Sequence, residues 1–223
     1  YLNLGGRRIL KKSIRRQLGG ASECSSHLRH REDRMSDWKN KPAWEDIDVP
    51  SRSLPWPERF PAVLRELDVE NAPRYRATTV DGKPRTFCNI FATDVIRNMG
   101  IAAPTHWMVG AVPAKLGQGI EMSANRLYPW FEVNGGTHGW WEADEGTAVA
   151  AAERGHLVIV IYRNPNGPGH IAIVKGERDD ETRITQAGAY NFADTALSTG
   201  FGKLPRKFWI QADRESNEDH RHA

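Results

Sequence analysis

The sequence predicts an α+β fold, with helices first and an antiparallel sheet after. Three observations carry this. Apolar residues recur at helical spacing over 87–99; an Ala-rich stretch over 144–154 is bounded by an N-cap residue and a glycine; and three β-rich runs over 156–187 are separated by turn-rich connections. The 223 residues suit one domain, and 39% hydrophobic with 26% charged residues describes a globular chain.

Residues 1–34 form a basic leader with nine Lys/Arg against three Asp/Glu. The remaining chain holds 22 basic and 25 acidic residues, so the overall +3 belongs to the leader. The rest gives no electrostatic reason to bind nucleic acid. Ile9–Leu10 is too short for a signal-peptide core. Globular composition begins near Met35, which is expected to be the natural start. The alternative is a basic arm for an acidic partner or immunity protein. No run of about 18 apolar residues occurs, so no membrane span is expected.

Residues 35–69 read as a Pro/Trp-rich wrap, with Trp38, Trp44 and Trp56 among Pro42, Pro50, Pro55, Pro57 and Pro61. A short helix is expected near Pro61–Leu67, and Asp81-Gly82 signals a turn. Residues 70–212 are the expected functional domain and 213–223 a polar tail, with His220 and His222 in it. In the first clear helix Phe87, Ile90, Phe91, Val95 and Met99 share a face; Pro84 or Thr86 can open it and Gly100 can stop it. A second helix is expected from Ser123 to about Phe131, and a third from Asp144, its N-cap, to Arg154 before Gly155. Strands are expected at His156–Arg163, His170–Lys175, Arg183–Ala187 and Lys207–Gln211.

Two cysteines, Cys24 and Cys88, lie in segments of different character and predict no structural disulfide. Cys88 falls in the first turn of its helix. There, unpaired N–H groups and the positive end of the helix dipole favour a thiolate and can bind an oxyanion. Taken alone, such a Cys reads first as a small core hydrophobe. His170 opens the apolar strand Ile171-Ala172-Ile173-Val174, and glycines beside it would let a substrate or the Cys88 helix come close. On the strand expected to pair with it, Gln186 is the first candidate to fix the imidazole tautomer and Asn191 the second. Asn89 is a further site candidate, though local hydrogen bonding explains it equally. Trp107, Trp130, Trp140 and Trp141 are candidates to line a cleft, Trp140 and Trp141 above the others. Cys88, His106, His138, His156 and His170 are too scattered for a metal-ligand spacing, and no nucleotide-binding loop occurs, so no cofactor is expected.

A Cys on a helix, then Gly169-His170-Ile171-Ala172-Ile173-Val174, then Gln186-Ala187-Gly188, resembles the papain-like NlpC/P60 and CHAP peptidoglycan hydrolases over about residues 70–212. The resemblance implies a nucleophile helix packed on a C-terminal antiparallel sheet. It implies Cys88 as nucleophile, His170 as base and Gln186 as orienting residue, with Asn89, Trp140, Trp141 and Asn191 as substrate-binding candidates. The implied enzyme is a cysteine peptidase or amidase that cuts an amide in peptidoglycan stem peptides at the bacterial cell wall. A phage lysin, an injected effector and a truncated exported protein all fit. The chain has Phe87-Cys88-Asn89-Ile90 where NlpC/P60 members have Asp-Cys-Ser-Gly, and Gln186 where they often have His. The competing readings are a noncatalytic cell-wall-binding module on the same fold and a thiol hydrolase or acyltransferase acting on protein or lipid amides.

Overall fold

The computed structural model describes residues 42–80 and 82–212. The basic leader with Cys24, the proposed start at Met35, Trp38, Asp81 of the expected turn, and the polar tail lie outside the described residues.

The chain runs through a 3-10 turn (Pro50–Ser53), α1 (Trp56–Leu67), the hairpin β1 (Thr78–Val80) and β2 (Lys83–Arg85), and α2 (Cys88–Asn98). Three short strands follow, β3 (Trp107–Val109), β4 (Val112–Pro113) and β5 (Ile120–Glu121), then α3 (Ala124–Asn134), β6 (Trp140–Ala143) and α4 (Glu145–Glu153). The last third holds β7 (Val158–Tyr162), β8 (His170–Arg178), β9 (Glu181–Gln186), β10 (Phe192–Ala196), α5 (Leu197–Phe201) and β11 (Lys207–Gln211). The architecture is α+β. Helix α1 begins five residues before the expected Pro61: Pro57 takes one of its first positions, where an N–H would lack a helical partner, and Pro61 lies inside the helix.

A six-stranded antiparallel sheet has the order β10-β9-β8-β7-β11-β6. Strand alternation sends its side chains into two cores. Ile159, Ile161, Ile171, Ile173 and Trp209 pack with Cys88, Phe91 and Val95 of α2, with Leu127 and Phe131 of α3, and with Val63 and Leu67 of α1. Val158, Val160, Ala172, Val174, Ile184, Phe208 and Ile210 pack with Ala148, Ala151 and Ala152 of α4 and with Leu197 and Phe201 of α5. Burial on both faces explains why β7 and the first half of β8 read as continuous apolar runs.

Helix α4 has its expected N-cap: Asp144 Oδ1 accepts from Thr147 N at 2.8 Å. Gly100 and Gly155, the expected stops, have φ of +82° and +92°. Residues 42–69 share the core of the rest: Ala43, Ile47 and Val49 are buried in the same cluster as α2. Asn98, at the end of α2, holds them by accepting from Val49 N (2.8 Å) and donating to Ile47 O (3.1 Å).

Beneath α2 lies a buried ion pair. Arg74 Nε stands 3.0 Å from Asp94 Oδ2, with both side chains inaccessible to solvent. Tyr75 Oη donates to Asp94 Oδ2 at 2.7 Å, and His106 Nε2 lies 3.1 Å from Asp94 Oδ1 and 3.2 Å from Ile90 O. Burial and the Asp94 charge hold the Tyr75 phenol well above its ordinary pKa. Asp94 thus ties α2 to the 3-10 turn at Pro73–Tyr75 and to the segment before β3. Among the described residues no helix is long and apolar enough to cross a membrane.

Candidate active site

Cys88 is the first residue of α2 and is 4% exposed. The first intrahelical bond is Phe91 N to Phe87 O, so the N–H groups of Cys88 and Asn89 have no helical acceptor. Both bear on the Cys88 thiol, as does the N–H of Ile171 on β8. All three favour the thiolate. Burial opposes them and is the larger effect, so the thiol is pushed up from its ordinary pKa. The helix terminus acts in the expected direction, towards the thiolate, and desolvation acts against it.

His170 is the residue before Ile171 and opens β8, paired with Tyr162 of β7. Its Nε2 donates to Gln186 Oε1 at 2.8 Å. The Gln186 amide nitrogen donates to Tyr190 O at 3.5 Å, which turns the oxygen toward the imidazole. Neutral His170 then carries its proton on Nε2 and keeps the Nδ1 lone pair. Burial lowers the His170 pKa, and the Gln186 bond raises it by a smaller amount. Both shifts favour the uncharged forms of Cys88 and His170.

The two residues address neighbouring positions of one strand end. Cys88 belongs to the core on the α2 face with Ile171, whereas His170 lies against Phe201 of the opposite core, ring centroids 4.8 Å apart. The loop before His170 is held by Asn125 of α3. Its Nδ2 donates to Asn164 O (3.0 Å) and Gly167 O (2.8 Å), and its Oδ1 accepts from Asn164 N (2.8 Å). A Cβ at Gly169 would lie 2.5 Å from Asn125 Oδ1 and 2.6 Å from Tyr162 O. The glycine before His170 therefore admits Asn125 and the β7 backbone. It does not admit the Cys88 helix, as the sequence suggested.

The other expected site residues are distributed differently. Asn89 is buried and donates to Met122 O (3.2 Å) and Glu121 Oε1 (3.4 Å), fastening α2 to the end of β5. Asn191, read as an orienting or substrate-binding residue, is a loop pin. Its Nδ2 donates to Val69 O (2.8 Å) and Tyr75 O (3.0 Å), and its Oδ1 accepts from Gly188 N (3.0 Å). Both of its amide atoms are engaged by backbone. Trp140 is corrected to a core residue: it is 1% exposed, and its indole N–H donates to Ala103 O at 3.0 Å. Trp141 is 45% exposed on β6, which β7 and β11 separate from His170. Trp130 is buried, and Trp107 on β3 donates to Trp44 O at 3.3 Å. Among the described residues, no group of three or more His, Cys, Asp or Glu is placed to hold a metal ion.

Sequence reasoning missed Asn125, Gly200 and Phe201. Asn125 carried a faint signal as a polar residue in the first turn of an expected helix; the other two lie in a five-residue helix with no periodicity to reveal it. Compared with known proteins, the chain matches no family model and no curated protein.

Proposed function

We propose that the protein is a papain-like cysteine hydrolase, of the NlpC/P60 and CHAP kind, which cleaves an amide bond in peptidoglycan stem peptides through a thioester. The observation that carries this reading is the 2.8 Å His170–Gln186 bond on a strand whose next N–H, that of Ile171, bears on the Cys88 thiol. A nucleophile at a helix start, a base with its lone pair on Nδ1 and a neutral orienting amide are the parts acyl transfer to water requires.

In the proposed reaction, which requires the Cys88 sulfur and His170 Nδ1 to meet at the start of β8, the thiol gives its proton to Nδ1 as sulfur attacks the amide carbonyl carbon. Charge developing on the carbonyl oxygen is met by the Cys88 and Asn89 N–H groups, which lack helical acceptors. The C–N bond breaks as His170 Nδ1–H protonates the leaving amine, and a thioester remains. His170 then takes a proton from water, hydroxide adds to the thioester carbon, the C–S bond breaks, and the sulfur regains its proton. Gln186 accepts from Nε2–H throughout and stabilises the transient imidazolium.

The peptidoglycan substrate, and with it action at the bacterial cell wall, is supported by the resemblance of the Cys88, Gly169-His170 and Gln186-Ala187-Gly188 segments. Mass spectrometry of muropeptides incubated with wild type and Cys88→Ala tests it. New fragments with the wild type and none with the variant are expected, and their masses separate an amidase from an endopeptidase. A noncatalytic wall-binding module is favoured by one observation, the buried thiol with its raised pKa. Binding of the wall by both proteins without a mass change would establish that reading instead. Inertness toward peptidoglycan with hydrolysis of protein or lipid amides would redirect the substrate and keep the chemistry.

A further inference from the structure

Helix α5 closes over the His170–Gln186 pair. Phe201 lays its ring on the imidazole at 4.8 Å with an interplanar angle of 48°, and it is 1% exposed. One residue earlier, Gly200 faces the other partner. A Cβ at position 200 would fall inside van der Waals contact of Gln186 Oε1, the atom that accepts from His170, and 2.8 Å from Ile184 Cδ1. A third wall is the backbone at Gly188, whose Cβ would lie 3.6 Å from His170 Cε1. Oxygen, imidazole and helix are thus packed in sequence, with no room for a methyl group between Gln186 and α5.

We infer that Gly200 and Phe201 are positioning residues for His170: the missing side chain at 200 lets α5 seat the Gln186 oxygen on Nε2, and the Phe201 ring keeps water from that bond. A buried hydrogen bond competes poorly with water once its shield opens, so the shield decides whether the imidazole holds one tautomer. The link from positioning to turnover rests on the function proposed above; the link from α5 to the imidazole does not.

The test is a double-substitution cycle in an Ile184→Val background, which removes the second obstructing atom. Gly200→Ala, Gln186→Ala and the combination are compared by the NMR titration and the ring-nitrogen shifts of His170. Titration is followed below pH 8, where Cys88, the titratable neighbour reaching Ile171 from α2, stays protonated. Because the Gln186 bond raises the His170 pKa, displacing the oxygen lowers it. Gly200→Ala should therefore reproduce the downward shift and the tautomer mixing of Gln186→Ala, and the combination should add nothing further. If muropeptide turnover is present, kcat should fall roughly 10- to 100-fold in both single variants with KM little changed. A folded Gly200→Ala with the His170 titration of its background would overturn the inference, as would effects that add in the combination. Should Gly200→Ala alone fail to fold, the combined variant must regain the fold, since its clash partner is gone; failure to do so also overturns it. Absence of turnover in every protein would count against the proposed function and leave the titration result standing.

Discussion

Gln186 Oε1 sits 2.8 Å from His170 Nε2, sixteen residues away in sequence and one strand away in the sheet. The bond fixes where the imidazole can accept a proton, at Nδ1, and its loss has a signed consequence. Gln186→Leu removes the acceptor and lowers the His170 pKa further below its ordinary value. Gln186→Glu places a carboxylate there and raises it. In muropeptide hydrolysis the acid limb of the kcat/KM profile should move to lower pH in the first variant and to higher pH in the second. Limbs that coincide with wild type would show that His170 is not the titrating base.

Burial of neutral His170 also makes stability depend on pH. Its folded pKa lies below the unfolded value of about 6.5. As pH falls through about 6.5 the unfolded chain takes up a proton that the folded chain resists, so stability drops until the folded pKa is passed and then levels. His170→Leu should remove this slope, which begins as pH falls through about 6.5. Urea midpoints at several pH values check it, and an unchanged slope would place the acid sensitivity elsewhere.

The Cys88 thiol is held up by burial, so alkylation by iodoacetamide should be slow near pH 7 and accelerate as pH rises past the ordinary thiol range. Peptide-resolved mass spectrometry separates Cys88 from Cys24. Fast labelling of Cys88 at pH 6 would reveal a preformed thiolate–imidazolium pair and contradict the neutral resting state.

Much of this was legible in the sequence, and for identifiable reasons. Helix α2 is long enough to show apolar periodicity, and α4 is marked by its N-cap Asp144 and by the glycine that stops it. Strands β7, β8 and β11 are apolar runs of strand length, and the pairing of the β8 and β9 segments followed from a turn-rich connection. That brought His170 and Gln186 together. Strands β4 and β5 have two residues each, and β3 has three, too few for alternation to register. Trp140 and Trp141 were both candidates for a cleft because adjacent residues rarely both bury; the edge strand buries Trp140 and exposes Trp141. Asn191 looked catalytic by proximity to Gln186; its role depends on Val69 and Tyr75, over a hundred residues away. Asp94 gave no signal at all, since an Asp at mid-helix reads as solvated until Arg74 and His106 are seen around it.

The Arg74–Asp94 pair predicts a large stability effect away from the reacting atoms. Asp94→Ala leaves Arg74 buried without its partner and deprives Tyr75 and His106 of an acceptor. Breaking such a pair costs about 3–5 kcal/mol. Replacing only Tyr75 by Phe removes one hydrogen bond and should cost about 1–2 kcal/mol. Urea unfolding should rank the two in that order; near-equal losses would mean that the ion pair contributes little.

Asn125 and Gly169 make the last prediction, because they fix where β8 begins. Three hydrogen bonds from one amide hold the 164–167 loop, and Gly169 lies so close to Asn125 Oδ1 and Tyr162 O that a methyl group cannot enter. Tyr162 is paired with His170 in the sheet, so its carbonyl cannot retreat without disturbing the residue it helps to place. Gly169→Ala should therefore destabilise the fold and displace His170, lowering muropeptide turnover even where the protein stays folded. Asn125→Ala removes the same restraint without a clash and should cost about 1–3 kcal/mol. Hydrogen exchange separates the two: Asn125→Ala should expose the N–H of Asn164, whereas Gly169→Ala should loosen the β7–β8 pairing itself. Equal protection of both segments in the two variants would show that the loop does not set the strand.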